Sequence, residues 1–114
     1  MIIEKNEKVF IMIRRQFDSD LFRHFAGVVE DFTEGIIRVT GYAFNLDRAT
    51  GEFVRRKDRR TRLFGIGGAG IILNILPENV ELESLRYKIG DNGRQILTDD
   101  HGFEMNISEF GTYR

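Results

Sequence analysis

Two runs of alternating character, Phe25–Phe32 and Ile37–Leu46, face each other across Thr33-Glu34-Gly35. In the second run Ile37 and Val39 alternate with Arg38 and Thr40, the period of two that marks a half-buried strand. Beyond Gly41 the large apolar residues are Tyr42, Phe44 and Leu46, one position out of step with Ile37 and Val39. A phase flip across a glycine predicts a β-bulge at Gly41, where one extra residue swaps the faces and bends the strand. In the first run Gly27 and the paired Val28 and Val29 favour a strand, whereas Phe25, Val29 and Phe32, with Leu21 and Phe22, also fit one helical face. The strand is preferred for Ser19–Phe32, with a helix as the alternative. Thr33-Glu34-Gly35 then closes a tight hairpin, in which Gly35 is free to take a positive φ.

The same alternation recurs to both sides. Val9, Ile11 and Ile13 interleave with Phe10 and Met12 and predict a first strand; the residues before it, 1–8, are open to disorder, and Met12 is an alternative start. Asp18-Ser19-Asp20 offers capping side chains for one helical turn at Leu21-Phe22. Asp47–Gly51 forms a loop, Glu52–Arg56 a short polar strand, and Arg60–Ile66 and Ile71–Leu76 two more strands, the last stopped by Pro77. Glu78, Glu81 and Glu83 suit a second helical turn before Leu85. A meander follows. Leu85, Tyr87 and Ile89 alternate with Arg86 and Lys88, Asp91-Asn92-Gly93 is a strong hairpin signal, Arg94–Thr98 pairs back, and Asp99–Gly102 turns into Phe103, Met105 and Ile107.

Short strands joined by Gly, Asn and Asp turns predict an all-β fold, mainly antiparallel: a small curled sheet, barrel or roll with one or two short helical turns. The central hairpin is similar in length and bend to that of Sm-like barrels, a likeness of fold that implies no function.

Composition narrows the class of protein. A chain of 114 residues, 41% hydrophobic and 31% charged, is expected to be one globular β-rich domain spanning 1–114. Cysteine is absent, which removes disulfides, thiol chemistry and thiolate metal ligands and fits a reducing compartment. No apolar run reaches the length of a membrane span. Glu4 and Glu7 stand where a signal peptide carries positive charge, so the expected location is cytoplasmic, with no membrane partner. The net charge of −1 is unevenly spread: six lysines and arginines against one aspartate in 55–77, four against eight acids in 78–114.

Four stretches invite a chemical reading. Gly65-Ile66-Gly67-Gly68-Ala69-Gly70 matches the dinucleotide pattern GxGxxG, but that pattern must open a helix whose N-terminus holds the pyrophosphate. Here it leads into Ile71–Leu76 and Pro77, a strand, so it is read as a hairpin turn and no cofactor is expected. Arg55, Arg56, Lys57, Arg59, Arg60 and Arg62 form the densest charge cluster, five of six being arginine, whose planar fork suits phosphate and carboxylate. They are read as an anion-binding surface; the bland reading is a solvated hairpin guarding a strand edge. His101 in Asp99-Asp100-His101-Gly102 is read as part of a polar turn, since metal ligands come from separated segments. His24, beside a phenylalanine-rich strand, is read as a hydrogen-bonded structural residue. Neither histidine has an identifiable nucleophile partner, so no catalytic residue and no metal ligand is assigned.

These observations lead to a non-enzymatic binding domain that uses an arginine-rich hairpin to contact an anionic partner, an acidic protein or a nucleic acid. The first alternative is self-association of the basic hairpin with the acidic 78–109 region of a second copy. The second is an enzyme whose site is scattered along the sequence.

Overall fold

The computed structural model describes residues 2–13, 23–47, 49–50, 52–68 and 70–107. It is almost entirely antiparallel β. The strands are β1 (Lys8–Ile13), β2 (Arg23–Thr33), β3 (Ile36–Asp47), β4 (Glu52–Arg55), β5 (Arg60–Gly65), β6 (Ile71–Ile75), β7 (Arg86–Ile89), β8 (Gln95–Thr98) and β9 (Glu104–Asn106). One 3-10 turn, Leu82–Ser84, precedes β7, as the acidic stretch predicts. The helical turn expected at Asp18–Phe22 lies outside the described residues.

The strands form two sheets, not closed into a barrel. The large one runs β4-β3-β2-β1-β6, with β5 also paired to β3; the small one is the meander β7-β8-β9. Each sheet face buries something different. On one face Phe10, Ala26 and Phe44 meet Leu82, Leu85, Leu97 and Ile107 beneath the small sheet. On the other, Val9, Ile11, Phe25, Val29, Ile37, Val39 and Phe64 pack among themselves where the large sheet curls. This explains why β1 reads Val-Phe-Ile-Met-Ile: neither of its faces meets water, so neither position parity is polar.

It also explains the phase flip in β3, and corrects the bulge assigned to Gly41. Ile37, Val39 and Ala43 serve the curled core and Phe44 serves the core under the small sheet. Apolar residues change parity along β3 because the buried face changes, while the backbone alternates without interruption. Gly41 pairs in register with Gly27. The extra residue lies in β2 instead: Val29 faces Val39 and Asp31 faces Arg38, leaving Glu30 as the bulge. That insertion returns Phe32 to the face of Val29 and Phe25, so all three join the curled core. Their helix-like spacing is thus a strand spacing plus one bulged residue, and the segment is strand.

The residues before β1, expected to be open to disorder, are tied to β2: Asn6 N–H donates to Val29 O at 2.7 Å and Val29 N–H to Glu7 O at 2.8 Å. Gly35, with φ of 71°, closes the β2–β3 hairpin as expected, and Gly93, with φ of 78°, closes β7–β8.

Candidate anion-binding site

The basic stretch departs from the expected hairpin. β4 and β5 do not pair with each other; both pair antiparallel with β3, end to end. Arg55 faces Phe44 and Arg60 faces Gly41, so Arg56–Arg59 stand against Tyr42 and Ala43 alone. Arg56 N–H still donates to Ala43 O at 2.8 Å, which leaves Lys57, Asp58 and Arg59 as the loop that leaves the sheet. The arrangement is a wide bulge in an edge strand. The sequence cannot distinguish it from a hairpin, because Arg, Lys and Asp serve both and the deciding fact is that β3, at twelve residues, is long enough to template both segments.

The bulge separates the six predicted residues into three settings. Arg55 is half-buried, with its guanidinium 4.6 Å from the centre of the Tyr42 ring. Arg60 and Arg62 face Gly41 and Val39 and so project to the opposite face; Arg62 lies 5.9 Å from the Phe25 ring centre, its stem crossing the rim of the curled core. Arg56, Lys57 and Arg59 are exposed at the bulge and have no ion-pair partner among the described residues. The one acid of the cluster, Asp58, is 3.5 Å from Arg60. The cluster is therefore not one flat patch but a basic edge with charge on both faces and at the tip between them. Tyr42 is a member that sequence reasoning missed; the signal available was its shared parity with Phe44, which Arg55 faces across the ladder.

The Gly65–Gly70 segment is likewise not a hairpin turn. It carries the chain from β5, beside β3, to β6, beside β1, on the opposite edge of the sheet. No helix follows it, so the context that a pyrophosphate site requires is missing.

The histidines occupy separate, fully engaged settings. In the turn after β8, the buried Asp99 carboxylate accepts backbone N–H bonds from Glu81 at 3.0 Å, His101 at 2.8 Å and Phe103 at 3.1 Å. The Glu81 amide is the first cause of an Asp99 pKa held below the usual carboxylate range. Asp100 forms a two-point pair with Arg86, from Nε at 2.6 Å and Nη2 at 2.9 Å, which lowers its pKa. His101 faces Glu81 at 3.7 Å. The three side chains of the turn thus point to three different partners. His24 is buried between the sheets, where its Nδ1 meets the Tyr87 hydroxyl and its ring stacks on Phe53 at 4.7 Å. Burial lowers its pKa from 6.5 to about 4 and raises that of Tyr87.

A depression of about 350 Å³ beside the β7–β8 turn is lined by Lys88, Asp91, Asn92, Ile96 and Glu104. Lys88 and Glu104 neutralise each other there at 2.5 Å, which leaves it without the unpaired charge of the basic edge. Among the described residues, no helix is long and apolar enough to cross a membrane.

No protein-family model, curated protein or solved structure matches the chain.

Proposed function

We propose that the protein is a non-enzymatic binding domain whose basic bulge contacts an anionic partner. The observation that carries this reading is the exposure of Arg56, Lys57 and Arg59 on a loop lifted out of a continuous ladder, without carboxylate partners among the described residues. A loop serving only to turn the chain has no need of three unpaired cations, whose mutual repulsion opposes folding. The surrounding strand is fixed by β3, so the cations sit on a rigid base, and the entropy of ordering them on binding is reduced.

Immobilised heparin, a generic polyanion, tests the reading. Changing Arg56, Lys57 and Arg59 together to serine is expected to move elution to clearly lower salt, because each neutralised anion that is lost releases fewer counterions. Unfolding free energy should change by no more than about 0.5 kcal/mol, since the three are exposed surface residues. A control with Lys5, Arg23 and Arg94 changed to serine carries the same net charge. Equal elution of the two triples would remove the bulge from the site.

Self-association is a second reading, favoured by the exposed carboxylates of Glu78 and Glu83, which have no ion-pair partner among the described residues. It requires the apparent mass in low salt to exceed that of one chain and to fall to it in the bulge triple.

A further inference from the structure

We propose that the outer edge of β5 accepts an extended acidic segment of a partner protein, which adds to the large sheet as one more strand. The proposal rests on the anion-binding reading and names the partner's chemistry. β5 pairs with β3 alone, and every residue of it except Phe64 is exposed. The orientation of its backbone follows from one bond. Ile66 N–H donates to Gly35 O at 2.7 Å, so in an antiparallel ladder the groups turned toward β3 recur at Phe64, Arg62 and Arg60. Those of Thr61, Leu63 and Gly65 therefore face outward, an alternating row of donors and acceptors.

Side chains then decide what can add. Arg60 and Arg62 lie on one face of the edge; Thr61 and the 66% exposed Leu63 lie on the other. An incoming strand sends successive residues to opposite faces. Acids at alternate positions would meet Arg60 and Arg62, and apolar residues between them would cover Leu63. A second copy of β5 is excluded as the occupant, because antiparallel pairing of two such edges sets arginine against arginine. The same charges that repel another β5 attract carboxylates. A nucleic acid satisfies the arginines but not the edge: its phosphates only accept hydrogen bonds, so the outward carbonyls of Thr61, Leu63 and Gly65 would lose water without gaining a donor. A peptide main chain supplies both partners.

The test uses the whole chain and three labelled probes: a synthetic peptide alternating glutamate with valine, its lysine–valine counterpart, and oligothymidylate. The glutamate peptide is expected to bind and the lysine peptide not to. On binding, the backbone amides of Thr61, Leu63 and Gly65 should become protected from hydrogen exchange. Leu63→Pro removes an outward N–H that β3 does not use, a position where an edge strand tolerates proline. It should weaken the peptide about tenfold, the loss that one to two main-chain hydrogen bonds represent, while heparin retention stays unchanged. Where Leu63→Pro fails to fold, amide protection in the unaltered protein decides. Peptide binding without protection at those three amides, or undiminished in folded Leu63→Pro, overturns strand addition. Binding of oligothymidylate and heparin without the peptide overturns it too, and leaves the anion-binding reading standing. Binding of none of the anionic probes removes both.

Discussion

Replacing Gly41 with alanine is expected to destabilise the domain by about 3 kcal/mol or more, or to prevent folding. A β-carbon at Gly41 would lie 1.9 Å from the Ala26 carbonyl oxygen and 2.5 Å from the Gly27 α-carbon. One at Gly27 would lie 2.4 Å from the Thr40 carbonyl oxygen. These neighbours are backbone in mid-ladder and cannot rotate aside as a side chain would. Relief requires β2 and β3 to separate where they are flanked by β1 and by the β4–β5 line, and both cores are hung on that pair. Gly67 provides the contrast, because nothing lies within 4 Å of a β-carbon placed there. Gly67→Ala should stay within about 0.5 kcal/mol of the parent or be slightly more stable. Urea unfolding of both variants is the measurement. A Gly41→Ala protein with the parent's midpoint would show that the two strands do not approach as closely as this packing requires.

Gly41 also shows how far alternation can be read. The phase flip was visible, and so was the importance of the glycine, but its cause was not. A strand changes apolar parity either because its backbone gains a residue or because the core changes sides. The two leave the same trace in β3. They differ only in what covers each face, which depends on β7–β9, some forty residues later. The reverse ambiguity arose in β2, where a true bulge at Glu30 gave Phe25, Val29 and Phe32 the spacing of a helix face. Turns were easier, since Gly35 and Gly93 adopt a positive φ that local chemistry alone selects.

At the basic edge, residue types were legible and their arrangement was not. Six cations within eight positions signal an anion whatever the backbone does. Whether they share a face depends on pairing. A hairpin would have gathered them at one tip; collinear strands along β3 split Arg55 from Arg60 and Arg62 and left Arg56, Lys57 and Arg59 between. Long-range templating of this kind leaves no local signature, because no residue in 52–65 encodes the length of β3.

Stability should fall by about 3 kcal/mol as pH drops from 6.5 to 4, with His24 as the cause. The sign follows from burial. His24 is 7% exposed, packed against Phe10 and stacked on Phe53, and loss of hydration penalises its charged form. Its folded pKa of about 4 lies below the ordinary 6.5. Above pH 6.5 the ring is neutral in both states and its contribution is fully present. Between 6.5 and 4 the unfolded chain binds a proton that the folded chain refuses, so stability declines as pH falls. Below 4 both states are protonated and this loss stops; the depressed carboxyls of Asp99 and Asp100 then carry any further decline. Geometry gives the same direction. Burial keeps the Tyr87 hydroxyl protonated, so it donates to Nδ1, and a protonated ring has no acceptor there to offer. Tyr87→Phe should cost about 1–3 kcal/mol at neutral pH, because Nδ1 is left buried without a donor. His24→Gln, measured by urea unfolding at pH 7 and pH 4.5, should remove most of the difference between the two. His101 is exposed and remains in that variant. An undiminished pH dependence with glutamine at position 24 would place its origin outside the interface between the two sheets.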